Sequence, residues 1–158
     1  MKKVILLLLI VSLTGTAFVS DSYVTYMPVF MSREMLDKSV LYISEGRDMK
    51  QTGKIYYRTP YIYVNERYKG VHVINNTDPA NPINEGFIVA PGCIDMAVKG
   101  NILYLDNAVD LVSFDLDSKT ATKRIRNVFP EPTPPDDFYR FSNIKRPEGY
   151  VLVEWKKN

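Results

Sequence analysis

One cysteine, one histidine and one tryptophan in 158 residues set the first limits on this chain. A single thiol, Cys93, excludes an intramolecular disulfide, so no secreted disulfide framework holds the fold together. With His72 the only imidazole and no second thiol, no His and Cys pair has the spacing of a zinc site. Cys93, between Gly92 and Ile94, reads as a small buried apolar group, with a reactive or intermolecular thiol as the competing reading. Net charge is also missing. The formal value of +2 includes Lys2 and Lys3, and without them the chain is neutral. A nucleic-acid partner is therefore not expected, because phosphate binding needs clustered cations, and the short run holding Lys123, Arg124 and Arg126 reads as a solvated strand face.

Long apolar runs are scarce as well. The one strong run, residues 4–13, is shorter than the roughly 20 residues a helix needs to cross the hydrocarbon core, so no transmembrane span is expected in the mature chain. It follows Met1-Lys2-Lys3 and precedes the small residues Thr14-Gly15-Thr16-Ala17, the order of a secretory signal. Leu13-Thr14-Gly15-Thr16 resembles the lipoprotein cleavage box, but Thr16 stands where the lipid-bearing cysteine belongs and has no sulfur to acylate. Cleavage after Ala17, a mature chain beginning near Phe18 without lipid, and a periplasmic or cell-envelope location are the expectation.

What is abundant is tyrosine and phenylalanine, 11 and 7 residues, which suit half-buried pleated surfaces and lean the fold towards β. Residues 32–44 differ: Met35, Leu36, Val40, Leu41 and Ile43 approximate one helical face, with Ser32 as the N-cap, and predict a short helix or strap packed on the domain. From Lys54 onward short β-prone runs repeat. Tyr61-Ile62-Tyr63-Val64-Asn65 matches Ile102-Leu103-Tyr104-Leu105-Asp106, and Val71-His72-Val73-Ile74-Asn75 matches Leu111-Val112-Ser113-Phe114-Asp115. Tyr104 lies 41 positions after Tyr63 and Asp115 lies 40 after Asn75, the difference falling in the turns 66–70 and 107–110.

A period near forty with about four short strands per unit is the signature of propeller blades. The first unit is read as strands at 55–57, 61–65, 71–75 and 83–89, the second as strands at 94–98, 102–106, 111–115 and 121–125. Lys99-Gly100-Asn101 predicts a tight hairpin, while Asp78-Pro79 and Asn81-Pro82 end a ladder. Asn65 with Asp106, and Asn75 with Asp115, fall at matched strand ends, where their oxygens would cap turn amides. Pro130, Pro132, Pro134 and Pro135 make the stretch around residues 129–137 a loop, and residues 149–155 a terminal strand whose Tyr150 and Trp155 would pack on the last sheet. The expected organisation is thus a signal at 1–17, an N-terminal segment at 18–53, two four-stranded antiparallel units at 54–127, and a proline-rich loop with a strand at 128–158. The fold class expected is mainly β.

Gly70-Val71-His72-Val73-Ile74-Asn75-Asn76-Thr77-Asp78-Pro79-Ala80-Asn81-Pro82 resembles the repeat of the LVIVD-repeat proteins, in which a strand ending in an acidic or amide residue is followed by Ser/Thr-Asp-Pro-x-x-Pro. Residues 96–104 and 110–115 fit the next copy. The resemblance implies a propeller-like bacterial envelope protein, often a lipoprotein, of unassigned activity. Two units are too few to close a ring, so the segment 32–44, the proline-rich stretch or a partner would have to cover the open sheets.

Two functions follow. A non-catalytic binding or interaction module would use sheet edges and loop-end aromatics such as Tyr57, Tyr61 and Tyr68 to contact an envelope protein, a second copy or a glycan, with no cofactor. The alternative is an envelope hydrolase or metal-dependent enzyme using Asp95, Asp106 and Asp110 at repeat turns, with His72 as base. Acid and base work requires such groups to converge in one concave site with separated pKa values. Asp115-Leu116-Asp117-Ser118 lacks the further oxygen ligands and the glycine of a calcium loop.

Overall fold

The computed structural model describes residues 26–135 and 145–157. The signal at 1–17, Thr16, the cleavage site and Asp136-Asp137 lie outside the described residues. The chain is mainly β. Its elements are β1 (Tyr26–Ser32), α1 (Arg33–Asp37), β2 (Leu41–Ile43), β3 (Thr52–Arg58), β4 (Tyr61–Glu66), β5 (Gly70–Asn75), β6 (Ile83–Val89), β7 (Met96–Lys99), β8 (Ile102–Asn107), β9 (Asp110–Asp115), β10 (Thr120–Ile125) and β11 (Tyr150–Lys157). They form a five-stranded sheet ordered β2-β6-β5-β4-β3, a four-stranded sheet ordered β7-β8-β9-β10, and a β1-β11 ribbon.

Both repeats are antiparallel meanders, as their turn chemistry predicts. The β7–β8 hairpin closes on Gly100 and Asn101 with Lys99 opposite Ile102, and Gly100 adopts φ +61, which the tight turn requires. The turns at 66–70 and 107–110 close on Glu66 opposite Gly70 and on Asn107 opposite Asp110, so the one-residue slip in the repeat is a difference in hairpin length.

The helix expected over residues 32–44 is corrected. Ser32 does cap it, its hydroxyl accepting from the Met35 amide at 3.3 Å, but α1 ends at Asp37, where the Lys38 and Ser39 amides turn back to the carbonyls of Met35 and Leu36. The β-branched and aromatic run that follows pairs as β2 with β6, Tyr42 opposite Ile88. Free ladder groups on β6 outweigh a marginal helical pattern, and the first unit gains a fifth strand. The terminal strand is corrected too: β11 pairs with β1, unforeseen in the sequence, instead of packing on the last sheet. β7 starts at Met96, two residues later than expected, because the amides of Ile94 and Asp95 are taken by the Asp106 side chain.

Alternation sets which face is buried. In β8 and β9, Leu103, Leu105, Val112 and Phe114 point to one side and meet Tyr63, Val71, Val73 and Ile88 of the five-stranded sheet. Each large apolar side chain buried this way contributes roughly 1.5–3 kcal/mol. The two sheets stack with β3 beside β7 and β2 beside β10. The ribbon crosses the hairpin ends, Val151 and Val153 packing with Ala108, Val109 and Leu36, and Leu152 and Trp155 with Tyr68.

Candidate functional site

The outer face of the second sheet, turned away from the core, carries Ala97, Tyr104, Asp106 and Leu111. Proline keeps residues 129–135 out of any ladder, and they run over this face as a strap. Three contacts fasten it: the amides of Val128 and Phe129 donate to the Val109 carbonyl at 2.8 and 2.9 Å, and Trp155 Nε1 donates to the Pro132 carbonyl at 2.8 Å. Arg146 pairs with Glu131 beside them. Between strap and sheet remains a cavity of about 570 Å³, with Ile94, Ala97, Tyr104, Leu111 and Phe129 on its walls. Its size falls within the range of small-molecule sites.

Two of the candidate acids, Asp95 and Asp106, line this cavity. One oxygen of each, Oδ1, is already engaged. Asp106 Oδ1 accepts from the amides of Ile94 and Asp95 at 2.8 and 2.9 Å. Burial pushes the Asp106 carboxyl above its ordinary pKa despite these donors. Asp95 would also be raised by burial, but Lys54, at 3.0 Å, and its bond from the Met96 amide hold it low. Lys54 belongs to β3, so this pair ties the two sheets together across the cavity rim.

Asp110 and His72 do not join them. The Asp110 side chain is fully buried between Arg33 and Arg124, at 2.7 and 2.8 Å, and accepts the Asn127 amide at 3.1 Å. Burial raises its pKa, and Arg33, the Asn127 amide and Arg124 together bring it below the ordinary value. The cluster fastens α1 to β9 and β10. His72 lies on the outer face of the first sheet, its Nε2 3.2 Å from Glu66 Oε2 and its Nδ1 3.5 Å from Asn84 Nδ2. Both ring nitrogens thus have a partner. Neither ring nitrogen is left for a substrate. The loop at 44–51 covers this pair, the Lys50 and Gln51 amides donating to Glu66 at 3.1 and 2.6 Å and Arg47 lying over Phe87. Burial raises Glu66, and these amides and His72 overrule it and lower its pKa.

Cys93 is fully buried, and burial pushes its thiol well up, which leaves a non-nucleophilic sulfur. Asp115 Oδ1 caps the amides of Asp117 and Ser118 at 3.0 and 2.8 Å, as Asn75 Oδ1 caps Thr77 at 3.0 Å, so these matched strand ends are turn caps. Among the described residues no three His, Cys, Asp or Glu side chains are placed to hold a metal ion. Of the loop-end aromatics, Tyr57 is 58% exposed, Tyr61 is half-buried and Tyr68 is core at 4%. Sequence reasoning missed Glu66, Arg33 and the strap cavity. Only a tertiary fold brings Arg33 to Asp110, 77 positions away. Comparison with protein-family models, curated proteins and solved structures finds no match for this chain. No helix among the described residues is long and apolar enough to cross a membrane.

Proposed function

We propose that the chain is an exported, non-catalytic β-repeat protein of the cell envelope that works as a binding or interaction module. The strap cavity carries this reading: its walls are largely apolar, and the two carboxylates beside it already hold backbone amides and Lys54. Such a site offers shape and surface, and the bonds on Asp95 and Asp106 support a structural use of both acids. The secretory pattern of residues 1–17 and the resemblance to LVIVD repeats support the envelope location. An envelope glycan or protein is the natural occupant class, and β3, an edge strand with Ile55 and Tyr57 exposed, is a second surface on which a partner or another copy would add.

The second reading, an envelope hydrolase, draws on Asp95 and Asp106 sharing one cavity. Purified mature protein incubated with isolated peptidoglycan sacculi and with an envelope protein fraction separates the two. Retention by the native chain and its loss in Ala97→Trp, which fills the cavity from an exposed position, is the expected result. Retention unchanged in Ala97→Trp would move binding elsewhere, and substrate turnover abolished by Asp106→Asn would replace binding with hydrolysis.

A further inference from the structure

A second, smaller cavity of about 270 Å³ lies between the two sheets, shares no lining residue with the strap cavity, and does not depend on the reading given above. Val73 and Ile88 wall it on one side, Phe114 and Leu116 on the other, with the rings of Tyr61 and Tyr63 between. Four charged side chains also line it: Arg58 at the end of β3, Glu85 on β6, and Asp117 and Lys119 in the β9–β10 turn.

Two cations and two anions share this small space, yet among the described residues none of the four forms an ion pair. Each is held by a neutral neighbour or by none. Arg58 Nη2 donates to Asn101 Oδ1 at 3.0 Å. Lys119 Nζ sits 4.3 Å from the centre of the Tyr42 ring. Glu85 Oε2 accepts from Asn75 Nδ2 at 3.2 Å, and the Asp117 carboxylate has no hydrogen-bond partner among the described residues. Opposite charges facing one partly enclosed space gain most from a ligand that presents both signs. A simple anion would satisfy Arg58 and Lys119 and leave both acids facing it. A diamine would do the reverse.

The volume is that of about nine water molecules at ~30 Å³ each, the scale of one small ligand of about ten heavy atoms. From these features we infer that the inter-sheet cavity binds a free zwitterionic amino acid with an apolar or aromatic side chain. Its carboxylate faces Arg58 and Lys119, its ammonium faces Glu85 and Asp117, and its side chain rests against the tyrosine rings and the apolar wall. Asp117 and Lys119 are exposed, so the ligand enters past the β9–β10 turn.

Calorimetric titration of the exported chain with L-leucine and L-phenylalanine tests this. Binding of at least one is expected, and N-acetyl-L-leucine and L-leucine methyl ester, each lacking one charge, are expected to bind at least about tenfold more weakly, the scale of one charge-assisted hydrogen bond. Lys119→Gln and Asp117→Asn, at exposed positions that leave folding intact, should each weaken binding of the free amino acid similarly, and the distal Lys123→Gln should not. No heat with either amino acid, or N-acetyl-L-leucine binding as tightly as L-leucine, overturns the inference. Binding of glucuronate in their place does so as well.

Discussion

The two repeat units share an antiparallel meander and use it for different ends. Gly70 and Asp110 stand 40 positions apart at the start of the third strand of each unit. In the first unit the backbone there has φ +143 and a Cβ would lie 1.9 Å from the Ile88 carbonyl oxygen, so only glycine fits. In the second unit the same position carries a buried carboxylate that gathers two arginines. Asn65 and Asp106 diverge in the same way: the Asn65 amide donates to the Gly70 carbonyl at 3.2 Å, while Asp106 accepts two backbone amides. A repeat therefore conveys strand path and hairpin position, and the side chain placed on a turn decides what that turn holds.

The outer faces differ too. A loop fastens onto that of the first unit through the Glu66 carboxylate, beside a cavity of about 520 Å³ lined by His72 and Phe87, whereas a proline strap crosses the second above a cavity of about 570 Å³. The fastenings differ: the 44–51 loop donates the Lys50 and Gln51 amides into the sheet face, while proline leaves the strap few amides to donate.

The sharpest way to break the comparison is Asp110→Ala. Arg33 and Arg124 would be left facing a buried site without their anion, and a loss of about 3–5 kcal/mol is expected in urea unfolding. A loss below about 1 kcal/mol would mean the cluster is not what holds α1 in place. Gly70→Ala should follow at roughly 3 kcal/mol, since the strained φ and the clash with backbone both oppose it. The same change at Gly100, where no atom lies within 4 Å of a Cβ, meets only the turn's positive φ and should cost about 1 kcal/mol.

Acid titration sharpens the contrast between carboxylates. Asp110 and Glu66 have folded pKa values below ordinary, so their stabilisation is present above the unfolded pKa and lost as pH falls through the folded one. Asp106 is raised, so its contribution is present below the unfolded pKa and lost as pH rises through the folded one. Urea midpoints between about pH 3 and pH 7 should show less loss on acidification in Asp110→Asn and less loss on the alkaline side in Asp106→Asn. Matching slopes in the two variants would contradict the assignment. The smallest effect is expected for Lys38→Gln, whose i,i+4 partner Glu34 is exposed, at under about 0.5 kcal/mol by thermal melting.

By itself the sequence determined the β class, the two units, their hairpins and the turn caps at Asn75 and Asp115. Those features rest on contacts between residues a few positions apart, where alternation and turn chemistry act directly on the backbone. Only the tertiary structure decided that residues 41–43 join β6, that β11 finds β1, and that Asp110 receives arginines from α1 and β10. It also decided which acids face a cavity and which four charges surround the inter-sheet space. These pairings join segments far apart in the chain, and their stability comes from ladder groups and buried charges that become neighbours only once the sheets have stacked.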